Sequence, residues 1–200
     1  MAAHSKLHPY LTWTKERIDE MDAALASLEA STRELKADAK TKSERLLADL
    51  KKRRNDFKAA AAKLADAGEA AWEGAKAQLE TQWNAFEAQV KSYFQTAGKQ
   101  IEQQHAAFHD IAEAQRKSWR KAADELHHAA VSATAANRAT VDAAIKQMQA
   151  DAAEAEARLQ KLMGAKNESW PALSAALAHS RKAFDRASWQ AWDAFSRARS

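Results

Sequence analysis

The sequence predicts an all-α protein of long amphipathic helices with 11-residue periodicity, arranged as an antiparallel coiled-coil hairpin or an elongated three- or four-helix bundle. Three observations predict it. About a quarter of the chain is Ala, the best helix former. Pro9 and Pro171 are the only prolines and there are four Gly, so the span between the prolines lacks the strongest helix breaker. Large apolar residues also recur at eleven-residue spacing through the middle of the chain.

Written in blocks of eleven from Gly68, the first position reads Gly68, Leu79, Val90, Ile101 and Ala112. The fifth reads Trp72, Trp83, Phe94, His105 and Arg116, and the eighth Ala75, Phe86, Ala97, Phe108 and Trp119. Eleven residues over three turns is about 3.67 per turn, so the stripe stays on one face and drifts with a slight right hand. Phe57, Leu64, Trp72, Leu79, Trp83, Phe86, Val90, Phe94, Ile101, Phe108 and Trp119 are therefore the candidate helix seam.

Residues 1–10 read as an N-terminal arm ending near Pro9, and 11–163 as one coiled-coil or bundle region. A first helix is expected from about Leu11 to Ala67, following Leu46, Leu50, Phe57, Ala61 and Leu64 at 4-3-4 spacing. Gly68 is a candidate turn, and a second helix runs from about Glu69 to Ala130, with Gly98 a second candidate turn or kink. Ser132 to Asn137 is a further candidate break before a third helix that carries Val141, Ile145, Met148, Ala152 and Leu159 to Met163. One unbroken helix from Met21 to Met163 would be about 215 Å long, so hairpins are the economical arrangement. Residues 164–170 form a break, with Gly164 ending one helix and Ser169 and Pro171 opening the next, which runs to about Arg197 within an aromatic-rich amphipathic segment, 171–200.

The composition excludes several kinds of chemistry. No Cys is present, so disulfides, zinc–thiolate sites and Cys nucleophiles are ruled out. No run of about 18 apolar residues exists, and the first residues lack the pattern of a secretory signal, so cytoplasmic residence is expected without a transmembrane segment. The net charge of +4 is spread as +3, −2 and +3 over residues 1–67, 68–134 and 135–200, which gives nucleic acid no concentrated basic surface. The run Lys51-Lys52-Arg53-Arg54 points in four directions around a helix and is flanked by Asp49 and Asp56, so it reads as a solvated face.

No Gly-rich phosphate loop or nucleophile elbow is present, and no catalytic role or cofactor is expected. His105 and His109 lie four apart, beside Glu102 and Glu113, and Glu102/His105 and Glu125/His128 have the Glu-x-x-His spacing of carboxylate-bridged metal bundles. Such bundles need further Glu residues on two other helices, and none stands out, so no metal site is assigned.

The aromatic residues carry more meaning. In the last segment Phe184, Trp192 and Phe195 share a face with Ala187 and Ala191, Trp189 lies toward its edge, and Arg181, Lys182, Arg186, Arg197 and Arg199 add positive charge. This profile fits either a helix clamped on its own bundle or one lying on an interface. The repeat over residues 57–119 resembles that of the exchangeable apolipoproteins, and the Ala-rich helical composition is similar to that of the phasins, surface proteins of bacterial storage granules. That resemblance implies reversible coating of an apolar surface. The residues themselves point first to a non-catalytic coiled-coil structural, scaffold or adaptor protein, acting through self-association or another helical protein. An amphipathic coat on a lipid or polymer surface is the alternative.

Overall fold

A computed structural model describes residues 9–67, 69–96, 100–131, 135–165 and 167–199, with all their side chains except those of residues 69, 70, 73, 129–131, 135–137, 195, 198 and 199. Among the described residues the chain forms six α-helices and no strand. They are α1 (Pro9–Arg33), α2 (Ala37–Ala67), α3 (Glu69–Thr96), α4 (Ile101–Val131), α5 (Ala135–Met163) and α6 (Trp170–Arg199). The expected breaks at Gly68 and Gly98 and residues 132–134 of the expected break at Ser132–Asn137 lie outside the described residues, as does most of the N-terminal arm, while residues 135–137 of that break belong to α5.

The helix expected from Leu11 to Ala67 is two helices, α1 and α2, and this corrects the sequence reading. No Gly or Pro marks the turn at Glu34–Lys36. Instead Ser31 and Thr32 turn their hydroxyls back onto the carbonyls of Ser27 and Leu28, at 3.0 and 2.8 Å. Back-bonding of this kind competes with the helical ladder. The last turn tightens, with Glu34 N–H donating to Ser31 O and Leu35 N–H to Thr32 O. Tyr93 of α3 then ties the corner, its hydroxyl 2.8 Å from Thr32 Oγ1 and donating to Leu28 O at 3.2 Å.

The helix expected from Glu69 to Ala130 is likewise two, α3 and α4, flanking Gly98. A bundle of six helices thus replaces the expected three or four. Near the expected break at 164–170, α5 ends at Met163 and α6 begins at Trp170. Gly164 N–H donates to Gln160 O as α5 ends, and Ala172 and Leu173 N–H donate to Ser169 O as α6 begins. The Trp170 N–H, one of the donors that every helix start leaves unpaired, is taken by Gln104 Oε1 of α4 at 2.9 Å.

Successive helices pack on one another, α1 on α2, α2 on α3, α4 on α5 and α5 on α6. The long-range packing is α1 on α4, with α6 against both and reaching α3. Two apolar clusters result. The larger joins α1, α2 and α3 with the first half of α4, the end of α5 and the start of α6, and includes Tyr10, Trp13, Phe57, Trp72, Trp83 and Phe108. The smaller lies among α4, α5 and α6 and holds Trp119, Leu126, Val141, Ile145, Met148 and Phe184.

Candidate interaction surface

Of the eleven seam residues, ten are buried within the chain's own bundle. Trp72 stacks on Tyr10 of α1 with centroids 4.3 Å apart and meets Trp13 edge-on at 5.7 Å. Phe57 of α2 lies 6.0 Å from Trp13. Phe94 packs on Trp170 at 4.3 Å, and Trp119 meets Phe184 edge-on at 4.6 Å. Each turn of the chain therefore hands these residues to a different neighbouring helix. Ile101, the first residue of α4, is the exception at 41% exposed.

In α6, Phe184 is fully buried, Trp192 half-buried and Trp189 37% exposed. The side chain of Phe195 lies outside the described residues. Ser188 of the same helix is buried as well. The face of α6 around Phe184 thus packs against Trp119 and its neighbours, and Trp189 remains at the surface.

A feature that the stripe did not announce lies between the two clusters. Along α4 the larger cluster ends at Ala112 and the smaller begins at Trp119; along α6 the larger ends at Leu177 and the smaller begins at Phe184. The interval is filled by buried polar side chains: Gln115 and Ser118 of α4, Ser180 and Arg181 of α6, and Glu16, Arg17 and Glu20 of α1 facing them. Arg181 Nε donates to both Glu20 oxygens at 3.0 and 3.1 Å, and its Nη2 pairs with Glu87 of α3 at 2.8 Å. Arg17 grips Asp185 of α6 with two bonds, at 2.7 and 3.1 Å, and also pairs with Glu16.

Indole rings flank these guanidinium groups. Arg17 lies 4.8 Å from the Trp13 ring centre and 5.6 Å from that of Trp83, and Arg181 lies 4.7 Å from Trp83. Flat, weakly hydrated guanidinium suits such a site, where a Lys ammonium would lose both the fork and the stacking. Burial pushes the Glu20 carboxyl above its usual range, against the pull of Arg181, Arg17 and Gln115. Burial also opposes the charge on Arg181, but Glu20 and Glu87 outweigh it and raise its pKa.

The other sequence candidates separate. His105 is half-buried and His109 lies 3.7 Å from Asp110. Among the described residues no three His, Asp or Glu side chains converge in a way that could hold a metal ion. Lys51, Lys52 and Arg54 of the basic run reach three separate acids, Glu29, Asp56 and Asp22. Among the described residues no helix is long and apolar enough to cross a membrane. The chain matches no protein-family model, no curated protein and no solved structure.

Proposed function

We propose that the chain is a non-catalytic helical scaffold or adaptor that acts in the cytoplasm as a closed bundle, through helix–helix association with another copy or another helical protein. The observation that carries this reading is the buried charged layer joining α1, α3, α4 and α6. Peeling these helices apart onto an apolar surface would separate Arg17 from Asp185 and Arg181 from Glu20 and Glu87 in a medium that solvates charge poorly, a cost of several kcal/mol per ion. A coat protein that opens reversibly is better served by an interior it can expose. Coiled-coil association then falls to the outer faces of the bundle, since the stripe is already occupied within the chain.

The alternative, an amphipathic coat on lipid or polymer, draws on the smaller cluster, whose buried faces are apolar and where Trp189 lies at the surface. Flotation with phosphatidylcholine vesicles, read alongside light scattering and small-angle X-ray scattering, separates the two. The scaffold reading expects the protein to stay with the unfloated fraction, as a concentration-independent species of unchanged scattering profile. Co-flotation accompanied by loss of the bundle profile would overturn it in favour of the coat.

A further inference from the structure

We propose that the cavity between α4 and α5, at the level of the polar layer, binds one small uncharged amphiphile bearing a hydroxyl group, of the aryl or alkyl alcohol class. Its volume is about 230 Å³. Trp119, Met148 and Leu159 supply its apolar walls, and the space exists because α5 presents Ala152 and Ala155 where the other buried positions of its stripe carry Val141, Ile145 and Met148. Apolar cavities of this order accept a small aromatic molecule.

Two residues lining the cavity decide the head group. Gln115 is fully buried and commits its Nε2 to Leu177 O at 3.1 Å, which leaves Oε1 without a partner. Ser180, 2% exposed, has no partner for its hydroxyl. One is an acceptor in need of a donor and the other can be either, so a single hydroxyl serves both, donating to Gln115 and accepting from Ser180. The guanidinium charges at the rim already have carboxylate partners: Arg116 Nη1 and Nη2 pair with Glu113 and Glu156, and Arg120 lies 3.8 Å from Glu156, while the buried Arg116 Nε–H is one further donor to a hydroxyl oxygen. The larger groove between α3 and α6, about 310 Å³, makes the contrast: its buried Arg181 is saturated by Glu20 and Glu87, and nothing there selects an occupant.

The test is calorimetric titration of the full chain with 1-naphthol and, in parallel, 1-naphthoate at neutral pH. Saturable binding of one naphthol per chain is expected, with naphthoate at least about tenfold weaker, since a desolvated carboxylate would lack a counter-charge. Ser180→Ala should weaken naphthol on the order of fivefold by removing one hydrogen bond. Ala152→Phe should abolish binding by filling the cavity, and Ala153→Trp at the exposed rim does so if the first variant disturbs the fold. Equal affinity for naphthoate, or binding that survives a filled cavity in a folded variant, would overturn the proposal. So would the absence of saturable binding to the folded wild type, which would mean that the cavity holds water only.

Discussion

The two apolar clusters are made from the same kind of Ala-rich helix, yet they are held together differently. The larger draws on six helical segments and many aromatic rings, with Tyr10, Trp13, Phe57 and Trp72 in mutual contact, and it is closed on one side by the charged layer. The smaller has three helices, with Trp119 and Phe184 as its two fully buried aromatic residues, and is otherwise filled by aliphatic side chains and Ala. Ala buries little surface per residue, so the aromatic groups decide where a core can be thick. Where they thin out, three helices close around what remains. The charged layer adds polar pairing to this packing, since each of its buried guanidinium groups finds a carboxylate on another helix.

The largest expected effect tests that difference directly. Arg181→Met removes the guanidinium that pairs with Glu20 and Glu87 and should destabilise the fold by about 3–5 kcal/mol in urea unfolding. Adding Glu20→Met to it should recover part of the loss, and if it does not, the layer is no ionic unit. The same carboxylate gives this layer a pH signature. Because the folded pKa of Glu20 is raised by burial, the folded state takes up its proton at a higher pH than the unfolded chain does. The Glu20 contribution therefore favours folding increasingly as pH falls through the raised value and is complete below the ordinary carboxylate pKa. Melts recorded as pH is lowered from neutral to below the ordinary carboxylate pKa should show this gain in the wild type and lack it in Glu20→Gln; equal pH slopes would refute the assignment.

Phe184→Ala should cost about 3 kcal/mol, through the cavity left beside Trp119. Amide exchange in that variant should accelerate in the first half of α5 and leave α1 and α2 protected, whereas uniform acceleration would show that the clusters unfold as one. The smallest effect concerns no core at all. Gly74 lies exposed within α3 with nothing within 4 Å of an added Cβ, so Gly74→Ala should raise stability by about 0.5–1 kcal/mol, measured by thermal melting.

Much of the charged layer could have been read earlier. In α1 the buried positions run Trp13, Arg17, Glu20, Ala24 and Leu28, and in α6 Leu173, Leu177, Arg181 and Phe184, each at helical spacing. Charged residues thus interrupt the apolar stripe itself, and α4 does the same with Gln115 between Ala112 and Trp119. A stripe search that tallies only apolar residues passes over them. The turn at Glu34–Lys36 was less legible, because its causes are Ser31 and Thr32 hydroxyls that serve equally well inside a helix and a Tyr93 distant in sequence.

By itself the sequence determined the helical class, the break before Pro171 and the buried stripe from Phe57 to Trp119 apart from Ile101, because helix propensity, Pro placement and apolar spacing are local properties. The tertiary structure alone decided which helix each part of the stripe packs against, and which carboxylate each buried guanidinium meets. Those outcomes depend on contacts between residues far apart in the chain, such as Arg17 with Asp185 and Glu20 with Arg181, whose pairing no local pattern encodes.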